Sequence, residues 1–194
     1  MAVVLIVYGT TAGHTDEVVE RMKAPMEAAG HVVRACRVAD APTSPVGYDA
    51  VIVGSSIHVG RHHTGLVRWV RGNAEHLRRL PSAFFQVSLS SASGPDGEAE
   101  ARGYVDHLVE QTGWRPETVG LFAGALLYRQ YGFVKRTMLK KIAAAAGLET
   151  DVRRDHDYTD YADVEAFAKG FLELAPLAGG TASSEGEAAS SASR

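Results

Sequence analysis

Short continuous apolar runs alternate along this chain with longer stretches in which apolar residues return every three or four positions. Val3-Val4-Leu5-Ile6-Val7-Tyr8, Ala50-Val51-Ile52-Val53 and Ala83-Phe84-Phe85-Gln86-Val87 are runs of the first kind, each the length of a strand covered on both faces. Val18, Val19, Met22 and Met26 mark one face of a helix from Thr15 to about Ala29, with Asp16 and Glu17 in its first turn, Gly30 as its stop and Pro25 as a candidate kink. Leu66, Trp69, Val70 and Leu77 mark a second helix, which Pro81 ends. Tyr104, Val105 and Leu108 form the inner side of a third, after a turn at Pro95-Asp96-Gly97 and running to about Thr112. His31 to Val38, where Arg34 and Arg37 interrupt the valines, reads as an edge strand, and Thr118 to Leu127 as a fifth strand.

Strands alternating with helices predict βαβ units: a parallel sheet with helices on both faces, joined by right-handed crossovers. Five strands suit the order 2-1-3-4-5, in which ligands bind outside the carboxyl ends of strands 1 and 3. Three loops then share one rim. The first, Thr10-Thr11-Ala12-Gly13-His14-Thr15, is rich in hydroxyls and glycine, and Thr15 is expected to cap the following helix. Backbone N–H groups and a helix N-terminus suit an anion. No lysine lies there, so the G-x-x-x-x-G-K-[ST] triphosphate pattern is absent, and no G-x-G-x-x-G follows strand 1; a mononucleotide phosphate held by neutral groups fits better. Read alone, the stretch fits an ordinary capped turn equally well. The second loop is Ser55-Ser56-Ile57-His58-Val59-Gly60 and the third Ser88-Leu89-Ser90-Ser91-Ala92.

Composition narrows this picture only at the margins. The 194 residues make one domain, expected over residues 1–175, and the tail 176–194, dominated by Gly, Ala, Ser and Glu, is expected to be disordered. A net charge of −3 gives no case for nucleic acid, and Arg68, Arg71, Arg78 and Arg79 read as a solvated helix face. The single cysteine, Cys36, leaves no internal disulfide and suits a reducing cytoplasm. The chain opens directly into a strand with no export signal, and no run reaches the ~20 apolar residues of a membrane span, so membrane contact would be peripheral. His58, His62 and His63 lack a carboxylate or cysteine at ligand spacing, so no metal is expected; they read as hydrogen-bonding rim residues, with His58 the candidate to pass a proton.

The first loop resembles the flavodoxin phosphate loop T-x-T-G-x-T, with Ala12 where a hydroxyl is common. Gly54 to His63, Pro81 to Val87, Trp114-Arg115-Pro116, Ala123 to Tyr128, Glu149-Thr150-Asp151 and Asp157 to Tyr161 resemble the flavodoxin-like, menaquinone-dependent protoporphyrinogen oxidases of bacteria, from the first strand to about Leu174. That resemblance implies a three-layer αβα flavodoxin-like fold with an insertion near strand 5, at about 128–147. It implies FMN, with phosphate in the loop Thr10, Thr11, Ala12, Gly13, His14, Thr15 and the ring between Ser55, Ser56, Ile57, His58, Val59, Gly60 and Ser88, Leu89, Ser90, Ser91, Ala92. It implies a porphyrinogen substrate and menaquinone or ubiquinone as acceptor, at the cytoplasmic face of a membrane. Arg61, His62 and His63, with Tyr128, Arg129, Tyr131, Lys135, Arg136, Lys140 and Lys141 of the insertion, are then candidates to meet the substrate's propionates or an anionic bilayer. A surface helix packed on the sheet edge explains the insertion's pattern equally. A flavodoxin-type electron carrier, a flavin-dependent NAD(P)H:quinone reductase and a flavin-free interaction domain are the alternatives; a homo-oligomer is compatible with all of them.

Overall fold

The computed structural model describes residues 1–126, 151 and 154–174. Strands β1 (Val3–Gly9), β2 (Val32–Arg37), β3 (Ala50–Ser56), β4 (Ser82–Ser88) and β5 (Thr118–Ala123) form one parallel sheet in the order β2-β1-β3-β4-β5, as the alternation predicts. Helices α1 (His14–Ala28), α2 (Thr64–Leu77), α3 (Gly94–Thr112) and α4 (Tyr161–Leu174) cover it. β1, β3 and β4 are buried along almost their whole length because they carry apolar side chains on both faces. Val4, Ile6, Ile52 and Phe85 meet Val18, Met22 and Met26 of α1 and Val164 and Phe171 of α4. The alternate residues Leu5, Val7, Val51, Val53 and Phe84 meet Leu66, Val70 and Leu77 of α2, Leu108 of α3, and Trp114. The period of two along each strand thus builds two cores from one sheet. β2, with its arginines, lies at the edge.

Three local expectations change. Thr15 does not cap α1: the helix starts one residue earlier at His14, its N-cap is Gly13 at φ 89°, and Thr15 is buried in the first turn. Pro95-Asp96-Gly97 is no separate turn but the first turn of α3, where the missing N–H of Pro95 removes no helical hydrogen bond. The fifth strand does not run on to Leu127. It stops at Ala123; the N–H of Gly124 still donates to the Ser88 carbonyl (3.0 Å), while its own carbonyl accepts from Tyr158 N–H (3.2 Å). The chain there changes partners. Ala125–Leu126 (β6) pairs antiparallel with His156–Asp157 (β7), a ribbon the sequence pattern did not announce.

Candidate flavin site

Parallel strands deliver their following loops to one edge of the sheet, and the register sets those loops side by side: Gly9 pairs with Ser55, Ser55 with Gln86, and Ser88 with Ala123.

At the end of β1 the backbone turns through Gly13 into α1, whose first N–H groups have no carbonyl of a preceding helical turn to bond, though that of Asp16 donates to the Gly13 carbonyl at 3.0 Å. Thr10 Oγ1 accepts from Gly13 N–H at 3.1 Å and so keeps its own proton to donate. Thr15 Oγ1 is buried and has no partner in the protein. A buried hydroxyl left unpaired costs about 1–3 kcal/mol, so its presence in the first turn of α1 is an observation in favour of a ligand there. His14 points the other way along the rim, its Nε2 2.7 Å from Thr159 Oγ1 and 3.4 Å from Asp157 Oδ1. Thr159 spends its proton on the Ala123 carbonyl (2.8 Å), so it accepts from His14 Nε2–H. Burial works to raise the Asp157 carboxyl, but bonds from Tyr161 and Thr159 outweigh it and hold it below the usual range. On the β2 side, Asp16 accepts from Tyr8 (2.8 Å) and from Arg37 Nε and Nη2 (3.1 and 2.5 Å). Burial, then the bond to Asp16, pushes the Tyr8 phenol up to about 12. This network stiffens the loop without lending it a free cation.

The loop after β3 is a tight reversal. His58 and Arg61 exchange backbone hydrogen bonds (2.9 and 3.2 Å), and both central residues are left-handed, Val59 at φ 50° and Gly60 at φ 70°. For a β-branched residue that conformation costs about 1–2 kcal/mol, and Val59, 76% exposed, recovers nothing by burial. Ser55 is used internally: its hydroxyl donates to the Ser56 carbonyl and accepts His63 N–H, both at 3.1 Å. Ser56 Oγ is buried and unpartnered.

His58 and Arg61 are exposed on this rim. His62 is not, contrary to expectation. It is turned inward, 9% exposed, with its ring edge-on to Phe84 (5.5 Å) and Nε2–H donating to the Tyr104 carbonyl (2.9 Å). Burial lowers its pKa, opposed by that carbonyl. His63 packs so closely on Gly9 that a Cβ there would stand 2.5 Å from His63 Cβ.

The loop after β4 coils as a short helical turn, Ser90–Ala92, stapled by Ser88 Oγ to Ser91 Oγ (2.8 Å) and N–H (3.3 Å). Tyr104 belongs to this rim rather than to the core side of α3: its hydroxyl donates to Glu100 Oε1 at 2.5 Å. A hollow of about 280 Å³ adjoins the loop, lined by Ser91, Ala92, Leu121, Phe122, Ala123, Tyr158, Asp160 and Asp163. Tyr128, Arg129, Tyr131, Lys135, Arg136, Lys140 and Lys141 lie outside the described residues. Glu100, Tyr104 and Thr159 escaped sequence reasoning as site residues, although the i, i+4 spacing of Glu100 and Tyr104 on α3 was visible.

A family model for the flavodoxin domain matches residues 5–153. A protoporphyrinogen IX dehydrogenase [quinone] of Leishmania major is 33% identical over 178 residues, covering 90% of this chain and 76% of that protein. Its namesake in Escherichia coli K12 is 30% identical over 173 residues, covering 88% and 94%. The chain belongs to the flavodoxin family, in its protoporphyrinogen IX dehydrogenase branch. Solved structures agree on the fold of this flavodoxin-family chain. A short-chain flavodoxin associated with a bacterial microcompartment superposes with a TM-score of 0.54 at 12% identity, over 90% of this chain and 99% of its own. Flavodoxin 2 of Bacillus cereus gives 0.50 at 16%, over 89% and 99%. Among the described residues, no helix is long and apolar enough to cross a membrane.

Proposed function

We propose that this chain is an FMN-dependent dehydrogenase that oxidises protoporphyrinogen IX to protoporphyrin IX and passes the electrons to a membrane quinone, menaquinone first among the candidates. The observation that carries the proposal is the likeness to two proteins named for that reaction, which spans about nine-tenths of the chain, beside a flavodoxin-domain match over residues 5–153 that includes all three rim loops. Bound FMN would supply two-electron acceptance from a C–H bond and delivery to a quinone. Conversion of the porphyrinogen removes six electrons and six protons, so three quinones become three quinols per product.

The residues present fit such a group. Thr10 and Thr15 offer hydroxyl donors, and the α1 N-terminus offers backbone N–H groups to a phosphate. Ser56 Oγ, buried without a partner, is a further donor at the carboxyl end of β3. The loops Ser55–Gly60 and Ser88–Ala92 stand as walls for a flat ring, with Val59 an exposed apolar cap. His58, exposed beside that turn, is placed to exchange a proton with solvent, and Arg61 offers a positive charge to a propionate. Purified protein loaded with FMN should oxidise protoporphyrinogen anaerobically only when a menaquinone analogue is present. Absence of quinone-dependent porphyrin formation, or reduction of the bound flavin by NADPH in place of porphyrinogen, would move the chain to one of the alternative flavoprotein classes.

A further inference from the structure

Glu100 and Tyr104 stand one turn apart on α3 and hold both loops proposed to flank the flavin ring. Ser90 donates its hydroxyl to Glu100 Oε2 at 2.7 Å, and Tyr104 donates to Oε1 of the same carboxylate at 2.5 Å. Tyr104 also reaches the segment that follows the other loop. Its carbonyl accepts His62 Nε2–H at 2.9 Å, and its hydroxyl end stands near Gly60, where an added Cβ would come within 3.7 Å of the hydroxyl and 4.0 Å of Cε1. One helical turn therefore links Ser90 of the third loop to His62, just past the second, with Gly60 alongside.

The segment it ties is the strained one. Val59 and Gly60 are both left-handed, and the Val59 side chain is solvent-exposed, so neither burial nor side-chain packing compensates the backbone. Such conformations persist where neighbouring structure over-determines them. The His58–Arg61 bridge closes the turn on itself, and Tyr104 stands beside it at Gly60. The carboxylate form is secure near neutrality: bonds from Tyr104 and Ser90 hold Glu100 below its ordinary range, and the bond to Glu100, then burial, pushes the Tyr104 phenol up to about 12.

We propose that Glu100 and Tyr104 are positioning residues for the flavin ring, clasping the Val59–Gly60 turn to Ser90 so that the two walls are held at ring-binding separation before the cofactor arrives. The clasp presupposes the flavin site proposed above. It goes beyond that site by placing the control of ring binding on a helix that does not itself form a wall.

The test titrates apoprotein with FMN and measures the midpoint potential of the bound flavin for wild type, Tyr104→Phe, Glu100→Ala, Glu100→Gln, Val59→Gly and the double variant Tyr104→Phe/Val59→Gly. Tyr104→Phe and Glu100→Ala are expected to weaken FMN binding at least tenfold and to shift the potential. Glu100→Gln, which still accepts from Tyr104 and still meets Ser90, stays within threefold of wild type. Glycine adopts the left-handed turn without support, so Tyr104→Phe costs less than threefold in the Val59→Gly background.

Wild-type affinity and potential in both Tyr104→Phe and Glu100→Ala overturn the clasp, as does a Tyr104→Phe loss undiminished by Val59→Gly. Should Glu100→Ala fail to fold by circular dichroism, Tyr104→Phe, which removes a single oxygen, and its double variant decide alone. Wild type that takes up no FMN overturns the flavin reading instead. The two failures are distinguishable, because a mistaken clasp leaves wild type binding FMN.

Discussion

Replacing Thr15 by valine removes one hydroxyl and substitutes a methyl of nearly the same shape, at a position fully buried in the first turn of α1. In the protein alone that hydroxyl has no hydrogen-bond partner. An unsatisfied buried polar group costs about 1–3 kcal/mol, and threonine and valine have closely similar helix propensities. The apoprotein of Thr15→Val should therefore be more stable than wild type, by about 1 kcal/mol or more. With FMN bound, the same hydroxyl is expected to donate to a phosphate. Hydrogen bonds to charged groups are worth about 1.5–3 kcal/mol, which corresponds to a loss of affinity of roughly 10- to 150-fold.

One substitution thus predicts opposite signs for two measurements. Urea unfolding of the apoprotein reports the first, and quenching of free FMN fluorescence on titration reports the second. The midpoint gained without ligand should be lost with it, since saturating FMN stabilises by an amount that falls as its Kd rises. A Thr15→Val apoprotein that is less stable than wild type, or one that binds FMN with unchanged affinity, would refute the assignment of Thr15 to the phosphate.

His62 gives a pH prediction. Its folded pKa is lowered from 6.5, chiefly by burial, so the unfolded chain binds the proton more readily, and stability falls as pH drops below 6.5 until the folded value is passed. His62→Gln should flatten the stability slope measured by urea unfolding between about pH 6.5 and 5, whereas the carboxylates Asp16, Glu100 and Asp157, all held low, lose their contribution only at more acid pH. Gly9→Ala places a Cβ 2.5 Å from His63 Cβ. Overpacking of that kind costs about 1–3 kcal/mol, and because His63 N–H is bonded to Ser55 the displaced loop should also bind FMN more weakly, which the same titration reads.

The sheet was legible because its central strands are covered on both faces and so are written as unbroken apolar runs; Val3 to Val7 and Ala50 to Val53 admit little else. The arginines of β2 identified the edge for the converse reason. What escaped was decided by single backbone groups. Thr15 carries a good capping side chain, yet Gly13 takes the left-handed position that starts the helix a residue early and draws Thr15 inside. Gly124 ends β5 by exchanging its neighbour in the sheet for Tyr158, a partner 34 residues away that local patterning cannot specify. In the site, the three loops followed from topology. The inward turn of His62 did not, because a histidine beside two others and an arginine reads as polar surface until Phe84 and the Tyr104 carbonyl are seen to receive it.

The decisive measurement is anaerobic oxidation of protoporphyrinogen IX by the FMN-loaded protein, followed by porphyrin fluorescence with and without a menaquinone analogue. We predict quinone-dependent porphyrin formation above the rate of the uncatalysed reaction, with three quinones reduced for each porphyrin formed. Porphyrin formation that stays at the uncatalysed rate, with flavin bound and quinone present, would contradict it.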